Sequence, residues 1–514
     1  MAKGRSEYGP LALPKAAVDR PPRRLEDDDC CEIPRSSRLL SMLPVGFVAS
    51  ALMPMAFTEA VLSEQLAGLI SPVTNSDVPL SMQDQLLPVL TPTFIFALSP
   101  AIGSFIVWHQ GSVAAGRPLR CLLTAGLSSA VVGQMLVAYS FDVSAWLTGS
   151  SEACLNIVFL GLCLIAFAHA SLGLAIRVFC VEAAGSPTRV AEALTLAAFI
   201  QIFGTTLGRL ATWSPWAKLG YFRGLATEAC GVNSLCFDVK VNILSAFVFT
   251  LLAGGLAIRA TALAAVGKRP RRWRFAKKSA STDQASTSPQ SPQPELHEQA
   301  ELGNVVEAAL KDPGMVAVLL TSLLSWIGWW SFQVSVERFL TNETLGSIQG
   351  RAVLRAGQLV QLFAAFVAAL ALPRLMRSLG TFGTWLSGSL LLASLLLLSV
   401  TVRSAQSTSF TVAWLSAFGS VLVLQSSLPY VIASRRAKAR KSSACLAIAL
   451  ASVPASAAEI FWAWAAADVR ALLQSEVAIL STGAVCAVWS AYVSSSAILR
   501  DRDGATLQSH RRKP

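Results

Sequence analysis

Val266-Gly267-Lys268-Arg269-Pro270-Arg271-Arg272-Trp273-Arg274 opens the polar middle of the chain, followed by Lys277-Lys278 and a Ser/Thr/Gln/Pro tract from Ser279 to Pro294. Such a tract buries too little apolar surface to offset the entropy of ordering it. Residues 264–313 therefore read as a flexible linker. A hydrophobic half lies on each side. The halves are of similar length and share one rhythm of apolar stretches.

The composition bounds what these halves are. The chain is 53% hydrophobic and 14% charged, with a mean hydropathy of +0.54. Soluble domains carry roughly 25% charged residues. Repeated long apolar segments at this charge density specify a polytopic, all-α membrane protein in contact with the lipid bilayer. The formal net charge is +12, but it sits in alternate loops and in the tails. That placement argues against nucleic acid as a partner and for a small neutral or weakly acidic solute. The ten cysteines include no CxxC pair. No HExxH, P-loop or G-x-S-x-G with a plausible His partner is present, so neither an enzyme, a metal site nor a cofactor is expected.

A span needs about 20 apolar residues. Twelve stretches qualify: 39–58, 86–108, 119–139, 154–180, 190–213 and 240–262 before the linker, and 314–336, 352–372, 382–402, 409–434, 443–465 and 474–497 after it. The domains are then a tail over 1–38, a six-helix bundle over 39–263, the linker over 264–313, a second six-helix bundle over 314–497, and a tail over 498–514. No Lys or Arg occurs between Leu39 and Gly116, where the first outer loop holds only the acids Glu59, Glu64, Asp77 and Asp84. The tails, the linker, Arg374/Arg377 and the run Arg435-Arg436-Lys438-Arg440-Lys441 are basic and fall on the other side. The positive-inside rule puts both termini and the linker in the cytoplasm. Lys218, Arg223, Lys240, Arg351 and Arg355 run against this asymmetry.

Ionisable groups inside spans are costly and mark function by default. His169 and Arg177 lie in the fourth span and Glu459 in the eleventh. Arg177 either faces a central cavity or snorkels to the membrane surface. His169 is either a neutral hydrogen-bonded core residue or a proton carrier. Glu459 is a second proton-carrier candidate unless it lies near the wet outer surface. Trp326, Trp329 and Trp330 fall at i, i+3 and i+4, on one helix face. Flat aromatic walls suit the C–H faces of a sugar, and packing between bundles is the alternative. Asn342-Glu343-Thr344 is a glycosylation sequon, and Cys230 and Cys236 share an outer loop where a disulfide is permitted.

Several segments, in order, resemble a known family. Ser99-Pro100-Ala101-Ile102-Gly103 with Gly116-Arg117-Pro118 is similar to P-x-x-G-x-x-S-D … G-R-R-R-P. Arg177-Val178-Phe179-Cys180-Val181-Glu182, then Arg189 and Ala191-Glu192-Ala193, is similar to R-A-L-L-A-D followed by R and A-N-A. Ser325-Trp326-Ile327-Gly328-Trp329-Trp330-Ser331-Phe332, then Glu337, is similar to N-W-x-x-W-x-x-F and the acidic T-D-W. Leu428-Pro429-Tyr430-Val431-Ile432-Ala433-Ser434 is similar to I-P-F-A-L-A-S. These are patterns of the sucrose transporters and the wider glycoside–pentoside–hexuronide:cation symporters of the major facilitator superfamily. The chain resembles a divergent member.

The resemblance implies twelve transmembrane helices in two six-helix bundles. It implies a secondary transporter of a sugar or glycoside that works by alternating access, with proton symport. The implied solute-binding residues are Arg177, His169, Trp326, Trp329 and Trp330. The implied proton-coupling candidates are His169, Glu459 and Glu337, and the implied cytoplasmic gate is Arg117, Glu182, Arg189, Arg374 and Arg377. The family's buried aspartate, eleven residues before the fourth-span arginine, falls on Ala166 here, and its asparagine falls on His169. An uncoupled facilitator and a non-transporting membrane sensor on the same scaffold are the alternatives.

The charge pattern makes a direct prediction. An epitope inserted at Gln290 will bind antibody only in permeabilised cells; binding in intact cells would reverse the orientation.

Overall fold

The computed structural model describes residues 35–70, 116–147, 151–184, 187–214, 234–267, 310–439 and 444–511. The expected span 86–108, the linker tract, Cys230, Lys218 and Arg223 lie outside them. The chain divides into two compact units, Met1–Leu43 and Pro44–Pro514. Of the first, only the opening turns of one helix are described. The rest of that helix and all the others belong to the second.

Backbone amides in hydrocarbon have no water to bond, so each crossing segment satisfies its own N–H and C=O groups as a helix. The helices are α1 (Arg35–Ala49), α2 (Leu52–Ile70), α3 (Gly116–Ala138), α4 (Ser140–Leu147), α5 (Ser151–Ala184), α6 (Pro187–Thr212) and α7 (Ser234–Gly267), then α8 (Pro313–Arg338), α9 (Ser347–Leu397), α10 (Ser399–Ala405), α11 (Thr408–Ala439), α12 (Ala444–Leu473) and α13 (Glu476–Arg511). Among the described residues nine helices are long and apolar enough to cross a membrane, or ten if a bent pair in α12 is one span.

One of those nine is two spans. Gly380 interrupts α9 with φ 75° and ψ 168°, a conformation essentially confined to glycine. Before it, α9 runs parallel to α11: Gly357 abuts Leu415, and Gly419 abuts Gln361. After it the direction reverses, because Gly388 abuts Leu424 while the Trp414 Nε1 donates to the Leu395 carbonyl at 2.7 Å. The expected span 352–372 is therefore the first arm of α9, and 382–402 is its second arm continued into α10.

The first expected span, 39–58, differs more. It is broken at Ser50–Ala51, and Pro54 sits in the first turn of α2, where its missing N–H costs nothing. The restarted helix continues to Ile70, so Glu59 and Glu64 are on a helix and not in a loop. At the other end, α13 continues through residues 498–511, expected as a tail.

Side-chain hydrogen bonds lock each half internally. In the first half α2 packs on α5, α6 and α7, and α3 on α5 and α7. Gln134 of α3 donates to Thr58 Oγ1 (2.8 Å) and Thr250 Oγ1 (3.0 Å). Asn242 donates to Gln65 Oε1 at 2.9 Å. In the second half Gln425 donates to Ser325 Oγ at 2.7 Å, and the Trp462 Nε1 to the Ile327 carbonyl at 2.7 Å. Trp329, Phe332, Trp414 and Phe418 form its aromatic core, with Phe332 and Phe418 stacked at 3.8 Å.

Three basic residues that run against the charge asymmetry have local partners. Lys240, 2% exposed, donates to Asp142 at 3.0 Å and lies 4.3 Å from the Tyr139 ring centroid. Arg355 sits 5.3 Å over Trp213, and Arg351 donates to its own helix at Ser347. Asn342 is exposed in a π-helical turn, Phe339–Thr344, whose Thr344 hydroxyl is buried and donates to the Phe339 carbonyl.

The bend at Gly380 gives a paired prediction. Gly380→Ala will lower the melting temperature of the detergent-solubilised protein, by the equivalent of about 1–3 kcal/mol. Gly383→Ala, three residues into the next helix with only Leu379 nearby at 3.4 Å, will leave it unchanged or raise it. Equal responses would mean that the reversal does not depend on the glycine conformation.

Candidate functional site

The halves meet around a cavity of about 380 Å³ lined by α2, α5 and α6 from the first half and α8, α9, α11 and α12 from the second. Its two ends are fixed by contacts between the halves. At the end carrying Arg374, Arg377 and Arg436, Arg377 of α9 pairs with Glu192 of α6 at 3.5 Å. One layer deeper, Phe199 meets Phe366 at 5.4 Å. At the opposite end Arg355 covers Trp213, and Arg209 of α6 donates to Gln333 of α8 at 3.2 Å.

Five of the residues singled out from sequence as intramembrane or aromatic features, Arg177, His169, Trp326, Trp330 and Glu459, line this cavity, and Trp329 reaches it. They are not equivalent. Trp329 is 4% exposed and packs on Phe332 and Phe418, at 5.6 and 6.1 Å, in the second half's core. Trp326 and Trp330 are half-buried and form the wall. Spacing of i, i+3 and i+4 covers an arc wide enough to straddle core and cavity.

Arg177 does not snorkel to a surface. Its guanidinium lies 4.2 Å from the Tyr430 ring centroid, on the other half, and makes a long hydrogen bond of 3.4 Å to Gln201 Oε1. His169 Nδ1 is 3.8 Å from Glu59 Oε2. Glu459 is 4% exposed. One of its carboxyl oxygens makes no hydrogen bond within the protein, and the same holds for Trp330 Nε1 and Gln358 Oε1. All three belong to cavity-lining residues.

The expected gate residues differ in exposure. Arg377 pairs with Glu192; Glu182 and Arg374 are exposed, Arg189 is half-buried, and the Arg117 side chain lies outside the described residues. Glu337 is exposed at the end of α8 and is not part of the cavity wall. No group of three or more His, Cys, Asp or Glu among the described residues is placed to hold a metal ion.

Sequence reasoning missed Glu59, Arg209 and the neutral polar lining, chiefly Gln201, Gln358 and Gln361. Glu59 was hidden by ending the first span one residue too early. Arg209 lay inside an expected span and carried the same intramembrane signal as Arg177. Glutamines carry no such signal.

No family model and no curated protein sequence matches the chain. Solved structures do. The E. coli fucose:proton symporter FucP aligns with TM-score 0.60 at 12% identity, covering 89% of this chain and 99% of that one. FucP in the outward conformation, described as a major facilitator superfamily transporter, gives 0.57 at 11%, with the same coverage. The proton:xylose symporter XylE gives 0.58 at 11%, covering 89% and 95%. The chain has the major facilitator fold.

The tryptophan face separates by experiment. Trp329→Ala will destabilise the purified protein by about 3–5 kcal/mol, as core truncations do. Trp330→Ala will keep most of the melting temperature and lose ligand-dependent stabilisation. Similar melting curves for both would place them in one environment.

Proposed function

We propose that the protein is a secondary transporter that moves a sugar or glycoside, sucrose-like in its polyhydroxyl chemistry, across a membrane by alternating access. The observation that carries this reading is the combination of a Trp326/Trp330 wall with the polar side chains of Gln201, Gln358, Gln361 and Ser426 in one cavity. An aromatic ring takes the apolar face of a pyranose, and hydroxyls at its rim satisfy donors and acceptors together. A purely apolar solute would desolvate those side chains without replacing their hydrogen bonds. The fold supports the reading, since it places this cavity between two halves that can rock.

Proton coupling is part of the proposal. The family's aspartate position is Ala166, which is fully buried and brings no carboxyl. Glu59, His169 and Glu459 put titratable groups on α2, α5 and α12 around the solute space instead. The Glu59–His169 contact joins two helices of the first half, and Glu459 faces them from the second. A group that changes charge and meets the cavity is what symport needs. The cytoplasmic gate is Arg377 with Glu192, supported by Arg374, Glu182, Arg189 and Arg117 at the same basic end. Both termini and the linker are cytoplasmic in this reading.

Uptake into proteoliposomes tests it. Labelled sugar should accumulate when a proton gradient is imposed, and adding sugar should alkalinise the outside. Glu59→Gln should abolish the proton movement, and His169→Ala should reduce it severalfold. Sugar flux with no proton movement in the wild type would make the protein an uncoupled facilitator, and no flux of any sugar would overturn the transporter reading.

A further inference from the structure

At the end opposite Arg377, the last turn of α6 reaches the second half through two residues. Arg209 Nη2 donates to Gln333 Oε1 of α8 at 3.2 Å, and the Trp213 ring lies 5.3 Å from the Arg355 guanidinium of α9. The same turn is tied back to α2. Glu64 Oε1 is 3.7 Å from Arg209 Nε, and Glu64 Oε2 accepts from the Thr212 hydroxyl. Gln65 donates to the Thr212 carbonyl at 3.2 Å, and Asn242 of α7 donates to Gln65 at 2.9 Å. In the turns before Arg209 the two backbones touch. A Cβ on Gly204 would fall 2.3 Å from the Met53 carbonyl oxygen, and one on Gly208 2.6 Å from that of Phe57.

The counter-charges of Arg209 are unevenly divided between the halves. Glu64 pairs with it, and Glu59, also on α2, adds a second carboxyl to the same side of the cavity. From the second half, Glu459 lines the cavity and Glu337 is exposed one turn beyond Gln333 on α8. Neither is within ion-pair distance of Arg209; what α8 offers it is the neutral amide of Gln333. Parting a guanidinium from a carboxylate leaves two charges uncompensated. Parting it from an amide while it keeps its carboxylate breaks one hydrogen bond and strands no charge.

Resting on the transporter reading, we propose that Arg209 and Gln333 form the latch that closes this end of the cavity, and that Glu64 is its positioning residue. Glu64 holds the guanidinium by Nε, which leaves the terminal nitrogens aimed at α8. Its own grip on Thr212 fixes it to the turn that carries the latch. Because Gln333 is neutral, the latch is strong enough to close the end and weak enough to release it. A carboxylate at position 333 would make it a lock.

The test reads access to the cavity from each side. The reporter is Ala455→Cys, which lines the cavity on α12. It is labelled with a membrane-impermeant maleimide in intact cells and in inside-out vesicles, and the rate of the parent without the reporter is subtracted. Thermal unfolding of the full-length protein in lipid nanodiscs is the second readout. Gln333→Glu should slow labelling from the Arg209 side by at least about tenfold, the margin of one charge-assisted hydrogen bond, and raise the melting temperature. Adding Arg209→Gln to it should restore the labelling. Glu64→Gln should speed labelling from the Arg209 side and slow it from the other, because a two-state protein that gains one state loses the other. Glu64→Asp should restore part of the difference.

Wild-type labelling and melting in Gln333→Glu would overturn the latch. Faster labelling from both sides in Glu64→Gln would mean a loosened fold and overturn the positioning role. Neither readout needs a solute. Labelling that follows the latch in a protein that moves no sugar would therefore uphold the latch and overturn the sugar-transport reading alone.

Discussion

Polar side chains within the spans answer to one constraint, the absence of water in the hydrocarbon layer. Backbone groups meet it by forming helices. Side chains can meet it in two ways, by bonding another helix or by facing a hydrated cavity. The described residues sort accordingly. Gln134, Asn242, Gln425, Trp414 and Trp462 are spent on locks inside one half, each with a named acceptor. Glu59, His169, Arg177 and Glu459 cluster where the halves face each other. The locks tie the helices within each half, and the ionisable groups gather in the cavity between the halves.

Close approach of the helices follows from the same constraint. Lipid is as apolar as leucine, so helices associate through packing and interhelical hydrogen bonds. A Cβ on Gly419 would overlap the Gln361 carbonyl oxygen, so that crossing is closed to any side chain. It fixes the first arm of α9 against α11. Gly380 then returns the second arm along the other flank of α11, where Trp414 reaches Leu395. The cavity residues Gln358 and Gln361 on α9 and Tyr430 on α11 owe their placement to this pairing.

Much of this was legible because hydropathy and intramembrane charge are strong local signals. The two apolar halves, Arg177, His169 and Glu459 all follow from them. What stayed hidden depended on geometry that a linear pattern does not hold. The break at Ser50–Ala51 changes where the first span ends, and with it Glu59 passes from a presumed loop to the cavity wall. The i, i+3, i+4 rule put three tryptophans on one face but not on one side of the boundary between core and cavity, so Trp329 belongs with Phe418. Arg377 was singled out through its basic loop, but its partner Glu192 lies on a helix of the other half, a pairing across 185 positions in the chain. Glutamines at Gln201, Gln358 and Gln361 are neutral, and only a three-dimensional cavity distinguishes them from lock residues.

The contacts that join the halves differ in kind from those inside them. Arg377–Glu192 is an ion pair with side chains 55% and 34% exposed, and such pairs contribute about 0–1 kcal/mol. Arg355 over Trp213 and Arg177 over Tyr430 are cation–π contacts, about 0.5–2 kcal/mol each depending on desolvation. Inside the halves, the bonds from Gln134, Gln425 and Trp414 are buried, and breaking them would leave donors unsatisfied at about 1–3 kcal/mol apiece. In the proposed alternating access, opening either end would break weak interactions and keep the strong ones inside each half. A solute in the cavity would act between those two ends, where Arg177 and Tyr430 meet from opposite halves. A ligand shifts a two-state equilibrium only through its different affinity for the two states. In the proposed alternating access, a solute that touches both halves across the cavity gains that differential affinity from contacts that differ between the two states.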